Sequence, residues 1–392
     1  MKDVFILSAV RTPIGRFGGA LAPLNPAELA APVLRAALDR TAVSDELVDL
    51  ILMGHVLSGG HGQLVARQAA KYANIPDSVD AVNVDMVCSS GMMSLIMGAA
   101  LIQSDAANLI LAGGVECMSD TGFALSSKAR WGYKYLTDSK ESLTDLLHRD
   151  GLSDPLSGEA MGVQAERLAR KRQISRQELD EVATASHARA HSATISGRFS
   201  AEINPIRTKN DYLDLDEGIR PETTIESLGS LRPVFAKNGR LTAGNSSQIS
   251  DGAASILLAS GDFVQNHGVQ PIGRVLGHAW AAGTWEHYIE APIEATRRAL
   301  DLVGMHPTEI DLYENNEAFA LSTALFTREL GVSGEKLNVN GGALALGHPI
   351  GCSGARIMVT LLHALRNRGK SLGLAALCHG TGGGTAVVLE ML

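Results

Sequence analysis

The sequence predicts a layered α/β protein made of two duplicated α/β halves with an inserted loop domain. Three observations carry that prediction. Short apolar runs alternate with longer segments of helical periodicity, the pattern of strands and helices stacked in layers. The last third repeats the first: Ala291–Leu302 (APIEATRRALDL) resembles Ala31–Arg40 (APVLRAALDR), and each is followed by a polar turn and a short apolar run, Leu312–Tyr313 or Leu50–Met53. Composition also shifts after Met118, and the stretch to about Gly244 is richer in charged and polar residues. The implied division is 1–118 with 245–270, 119–244, and 271–392.

With 392 residues, 45% hydrophobic and 19% charged, the chain has enough apolar surface to bury several cores. A formal net charge of -8 gives no global attraction for nucleic acid or an anionic membrane, so a polyanionic ligand needs a local basic patch. The four cysteines, Cys88, Cys117, Cys352 and Cys378, show no CxxC pair and no His–Cys metal spacing. They read as free thiols in a reducing compartment, with no metal site. The opening run MKDVFILSAVRTP is too short for a signal peptide and reads as a first strand. No uncharged apolar stretch is long enough to span a bilayer. A soluble, cytoplasmic protein is expected.

In chain order, Val4–Val10 is a buried strand closed by Arg11-Thr12-Pro13. Asn25-Pro26-Ala27-Glu28 opens a helix with Asn as N-cap, Pro at the first turn and Glu three residues on; Leu29, Val33, Leu34 and Leu38 share one of its faces. Leu50–Met53 is a short strand and Gln63–Tyr72 a helix. Val82-Asn83-Val84 is a strand that runs into Cys88-Ser89-Ser90-Gly91, and an apolar helix follows from about Met92 to Ile102. Leu109–Ala112 is a strand that ends at Gly113-Gly114. Within the charged stretch, Met161–Lys171 is a helix and the capping box Ser175-x-x-Glu178 opens a longer one. Strand character returns at Ser250–Leu258. In the repeat, Leu337-Asn338-Val339-Asn340 answers Val82-Asn83-Val84, Cys352-Ser353-Gly354 answers Ser89-Ser90-Gly91, and Leu374–Gly380 answers Leu109–Gly114.

Four segments carry chemistry. Cys88 lies between a strand and a helix, where unpaired N–H groups and the helix dipole favour thiolate; a buried structural cysteine is the plain alternative. Asn340 to Gly351 is a glycine-rich loop with His348 before Pro349; an imidazole titrating near ~6.5 can take a thiol proton, while the plain alternative is an incidental surface histidine. No Gly-Lys-Ser/Thr follows, so it is not a phosphate loop. Cys378 ends a strand ahead of the glycine cluster Gly380 to Gly384. Its neighbour His379 points to the opposite face of that strand, which favours Cys378 for the site; a tight hairpin into the strand Ala386–Glu390 is the plain alternative. In Asn315-Asn316-Glu317-Ala318-Phe319, Asn316 can hold a water or carbonyl, and Glu317 can cap a helix or hold an imidazole. All four fall at turns of the duplicated unit, where one cleft can collect them.

These segments, taken in order, resemble the thiolase family of the acetyl-CoA acetyltransferase and 3-ketoacyl-CoA thiolase type along nearly the whole chain. The matching stretches are Arg11 to Gly19, Cys88 to Gly91, Gly113 to Glu116, Thr242 to Ser247, Asp251 to Ala254, Asn316 to Phe319, Gly347-His348-Pro349, and Cys378-x-Gly380. The resemblance implies an αβαβα layering and a ping-pong Claisen reaction on acyl-CoA in fatty acid metabolism. It implies Cys88 as acyl carrier, His348 as its base, and Cys378 as the acid/base at the α-carbon. It implies one oxyanion hole from His348 and a water held by Asn316, and another from the N–H groups of Cys88 and Gly380. Coenzyme A is then a substrate, with no permanently bound cofactor; Arg220 meets its nucleotide end, Ser247 its pantetheine arm, and Ala243, Ala318 and Phe319 join the contact. The partners implied are acyl-CoA substrates and further copies of the chain, as a homodimer or homotetramer. Two alternatives stay open: a condensing enzyme of the same fold acting on carrier-protein thioesters, and a non-catalytic lipid carrier. Three positions depart from the family pattern. Ala160-Met161-Gly162 replaces His-Met-Gly, Tyr288 to Pro292 replaces Met-Gly-x-Gly-Pro, and His379 with Thr381 alters the last motif. The first two predict activity beyond the four-carbon substrate.

Overall fold

A computed structural model of the chain describes residues 2–131, 143–209 and 211–392. The apolar runs of the first third become strands β1 (Val4–Arg11), β2 (Leu50–Gly54), β3 (Asp80–Val84) and β4 (Leu109–Cys117), and β5 (Ser250–Ser260) returns to join them. Their order is β1-β5-β4-β2-β3; β5 is antiparallel to both neighbours, and β4, β2 and β3 run parallel. The last third forms β6 (Gly273–Ala282), β7 (Leu312–Asn315), β8 (Leu372–His379) and β9 (Gly383–Met391). Its order, β6-β9-β8-β7, has the same directions, and Tyr313 adds a parallel bridge to Leu337 where a counterpart of β3 falls. The irregularities repeat too: Leu7 bulges from β1 against β5, and Leu276 bulges from β6 against β9. The halves meet where Val4–Ile6 pairs antiparallel with Gly273–Val275, which makes one ten-stranded sheet once the short strand Gly15–Arg16 is included.

Helices cover and divide this sheet. α1 (Pro26–Asp39), opened by the expected Asn25–Glu28 capping box, and α2 (Val65–Tyr72) pack on the outer face of the first half. α3 (Ser90–Gln103) and α8 (Ile350–Arg368) lie between the halves, and residues 350–365 of α8 are buried without a break. The outer face of the second half is covered by α6 (Ala291–Val303) and α7 (Ala320–Leu330), joined by α4 (Met161–Lys171) and α5 (Arg176–Ile195) from the intervening stretch. The layering is αβαβα. α3 and α8 cross closely because glycine lies at the crossing: a Cβ on Gly354 would sit 2.4 Å from Met92 N, and one on Gly91 would sit 2.9 Å from Gly351 O. That crossing brings the N-termini of both helices to one place.

Two details differ from the sequence expectation. β4 does not stop at Gly113-Gly114 but runs on to Cys117. The glycines let other backbone press against the strand, since a Cβ on either would lie 2.2 Å from a carbonyl oxygen, that of Ala254 or Gly351. α2 starts at Val65, because Leu64 takes a left-handed conformation with φ 51°. Of the stretch 119–244, residues 132–142 and 210 lie outside the described residues. No helix among the described residues is long and apolar enough to cross a membrane.

Candidate active site

The turn before α3 places Cys88. Val87, although β-branched, holds φ 51°, a conformation that persists only where its surroundings fix it. The fixing groups are local: Val87 N–H donates to Asp85 Oδ1 (3.0 Å), Met86 N–H donates to Ser90 Oγ (2.8 Å), and that hydroxyl donates to Val87 O (2.6 Å). Ser89 is tied across the layers by Thr385 Oγ1 at 3.0 Å. Cys88 is therefore half-buried at a cavity wall. The helix terminus was expected to favour its thiolate, but burial prevails and pushes the thiol up to about 12; the Gly380 and Cys88 N–H groups pull the other way, and the charges of Glu116 and Asp85 add to the rise.

The loop before α8 places His348. Gly347, at φ 113°, passes so close to Ser250 that a Cβ would lie 2.2 Å from its Oγ. His348 N–H donates to Gln248 O (3.0 Å), and the Gln248 amide in turn donates to the carbonyls of Gly218, Leu344 and Ala345. Ser353 Oγ lies 2.5 Å from His348 Nδ1 and 2.8 Å from Pro349 O. A carbonyl can only accept, so the hydroxyl hydrogen goes to Pro349 and Nδ1–H of the imidazole donates to Ser353. Nε2 is left with a lone pair, buried and without a partner among the described residues. Burial, then the charge of Arg356, hold the ring down to about 3, so it is neutral rather than titrating near neutrality as expected. Asn316 lies behind the ring with its Nδ2 3.4 Å from Nδ1; its Oδ1 is buried and free among the described residues. Glu317 does not hold the imidazole: it accepts from Ser186 Oγ (2.6 Å), Asn338 Nδ2 (2.8 Å) and Leu344 N (3.2 Å).

Cys378 lies one residue before the end of β8, opposite Gly384, and the connection to β9 carries positive φ at Thr381 (71°) and Gly382 (87°). Burial and then the nearby Cys88 sulfur raise the Cys378 thiol far above its ordinary range. His379 faces away, as expected: its Nδ1 donates to Gly380 O (2.6 Å) and its ring packs on Gly383, outside the cavity lining.

Cys88, His348, Cys378 and Gly380 share one cavity of about 1210 Å³ with Arg220, Ser247, Ala243, Ala318 and Phe319. Asn316 is the one candidate not on its surface. Ala160, Met161 and Tyr288 also line it, and the Tyr288 hydroxyl, close to both thiols, donates to Met161 O at 3.1 Å. Sequence reasoning missed Ser353, Gln248 and Phe235. Phe235 lines the cavity edge-on to Phe319, with ring centres 6.0 Å apart. At the mouth, the guanidinium groups of Arg16 and Arg220 have no ion pair among the described residues.

Comparison with known proteins bears on this geometry. Residues 4–262 match the family model "Thiolase, N-terminal domain" and residues 269–391 match "Thiolase, C-terminal domain". The chain is 57% identical to an acetyl-CoA acetyltransferase of Synechocystis sp. over all of both chains, and 43% identical to one of Escherichia coli, again over all of both. Among solved structures it superposes on the Bacillus anthracis acetyl-CoA acetyltransferase with a TM-score of 0.96 at 40% identity, covering 100% of this chain and 99% of that one. It superposes on human mitochondrial 3-ketoacyl-CoA thiolase in complex with CoA with the same score at 37% identity, covering 100% and 98%. With both family models matched in order over nearly its whole length and two cysteines and a histidine gathered in one cavity, the chain belongs to the thiolase family.

Proposed function

We propose that the protein is an acyl-CoA C-acyltransferase that cleaves 3-oxoacyl-CoA with coenzyme A, and reverses the reaction by Claisen condensation, through an acyl group carried on Cys88. The observation that carries this is the convergence of Cys88, Cys378 and the free Nε2 of His348 on one cavity. Both thiols are neutral at rest, which suits thiolysis. Cys88 Sγ attacks the 3-oxo carbon as His348 Nε2 takes its proton. The C2–C3 bond breaks, and the C2 carbanion, delocalised onto the thioester oxygen as an enolate, takes the proton of Cys378. Once the acetyl-CoA so formed has left, the Cys378 thiolate takes the proton of an incoming CoA thiol. The CoA sulfur then attacks the acyl-Cys88 carbonyl, and Cys88 leaves with the proton held on His348. Condensation is the same path reversed. Every electron pair is accounted for by carbon, sulfur and oxygen, so the sequence of steps calls for no metal or redox group. The N–H groups of Cys88 and Gly380 and, on the other side, His348 with a water accepted by Asn316 Oδ1 would hold the two oxyanions.

A thiol at position 378, in place of a second imidazole, favours CoA thioesters over carrier-protein thioesters. Cys88→Ala tests the whole scheme: acetyl transfer to CoA should vanish, and mass spectrometry should find an acetyl group on Cys88 of the wild type only. Retained activity in the variant would end it. For the acyl end, Ala160 leaves room that an imidazole would fill, while Tyr288 offers an apolar ring whose hydroxyl is already engaged. Turnover of 3-oxoacyl-CoA thioesters longer than four carbons follows; confinement to acetoacetyl-CoA across a chain-length series would contradict it. Arg16 and Arg220, without an ion pair among the described residues, support placing the nucleotide end of CoA at the mouth, against the stretch 119–244. The pairing of β5 with β1 and β4 supports grouping 245–270 with 1–118 and leaving 271–392 as the second half. A homodimer or homotetramer in the cytoplasm completes the proposal; β3, paired on one side only among the described residues, offers an edge for a second copy, which sedimentation would detect.

A further inference from the structure

The reaction above gives no task to Glu116, which lies near the end of β4 and is fully buried. Its two oxygens gather donors from two separate pieces of the cavity wall. Val56 N–H (3.2 Å) and Gly351 N–H (2.9 Å) donate to Oε2, Leu57 N–H (3.1 Å) donates to Oε1, and His55 Nδ1 lies 3.0 Å from Oε1. Val56 and Leu57 belong to the apolar cluster on which Val87 and Cys88 rest. Gly351 stands in the first turn of α8, three residues beyond His348. The fit is tight: a Cβ on Gly351 would lie 2.8 Å from Glu116 Oε2 and 3.0 Å from His55 Cα. One carboxylate thus ties the seat of the nucleophile to the helix that follows the base. Electrostatic activation of Cys88 does not explain it, because the charge of Glu116 raises the thiol further and opposes thiolate formation. His55 completes the set of donors at Oε1; burial lowers its proton affinity, but the hydrogen bond and charge of Glu116 outweigh burial and raise it.

We propose that Glu116, hydrogen-bonded by His55, is a positioning residue that fixes Cys88 and His348 relative to one another at the separation proton transfer needs. The proposal rests on the thiolase reading. In Glu116→Gln the size is kept, but the amide NH2 turns against an N–H donor. Acetylation of Cys88 by acetyl-CoA in a rapid-quench experiment, and kcat for thiolysis, should fall about 10- to 100-fold, as small misplacements of reacting groups do. KM for CoA should stay within about twofold, because the CoA end of the cavity does not touch this carboxylate. A wild-type acetylation rate in Glu116→Gln, or a loss carried by KM, overturns the proposal. If that variant does not fold, His55 decides. His55→Gln keeps a donor for Oε1 and should acetylate within about threefold of wild type, while His55→Leu should be at least about tenfold slower; equal rates in the two overturn the proposal. Should wild type itself form no acetyl-Cys88, the thiolase reading fails instead.

Discussion

Val87 and Thr381 are β-branched residues in left-handed conformations, one just before the Cys88 N–H and the other just after the Gly380 N–H. Each costs on the order of 1–3 kcal/mol, and together they aim the two amides expected to meet an oxyanion. Such strain cannot be read from residue types, which is why Cys88, His348 and Cys378 were legible and the geometry that serves them was not. Ser353 is the plainest case. It follows His348 by five residues across a proline, and only the helix start folds it back onto Nδ1. Ser353→Ala would leave Nδ1–H buried without an acceptor and free the ring to hold the other tautomer. We expect kcat to fall about 10- to 100-fold with KM nearly unchanged; an unaltered kcat would show that the tautomer is set elsewhere.

At the scale of elements, the crossing of α3 and α8 sets the distance between nucleophile and base. A methyl group at Gly354 would press on the Met92 backbone at 2.4 Å, and neither helix has room to retreat between the half-sheets. Gly354→Ala should destabilise the fold by about 1–3 kcal/mol, read as a lower urea midpoint, and should slow acetylation of Cys88 as the helix N-termini part. A midpoint equal to wild type would mean that the helices can slide. Most of the element order was legible, because Asn25 and Ser175 are strong helix starts and the repeat of APVLRAALDR at 291 announced the duplication. The glycines at 113 and 114 misled, because glycine marks a turn in sequence but here marks backbone pressed on backbone. Phe235 and Gln248 carried no signal, since an aromatic or an amide in a polar stretch has too many possible uses.

At the scale of the molecule, charge and pH act through buried groups. His187 sits under the Arg220 segment and accepts from Arg220 N at 3.1 Å; burial, then the Arg220 charge, hold it down to about 4. Between that value and ~6.5 the unfolded chain binds the extra proton, so this contribution is whole above about pH 6.5 and fades as pH falls toward 4. Unfolding by urea at pH 7 and pH 4.5 should show wild type losing on the order of 2–3 kcal/mol relative to His187→Gln; parallel losses would remove His187 as the cause. The seam of the sheet has a consequence during synthesis. β1 leaves the ribosome well ahead of its ladder partners, Ser260 to Ala254 and, at the seam, Gly273 to Val275. At bacterial or eukaryotic elongation speeds that is a wait on the order of tens of seconds. Throughout it an apolar strand has neither neighbour in place, so the nascent chain is open to mispairing along β1 until Gly273 to Val275 has been made.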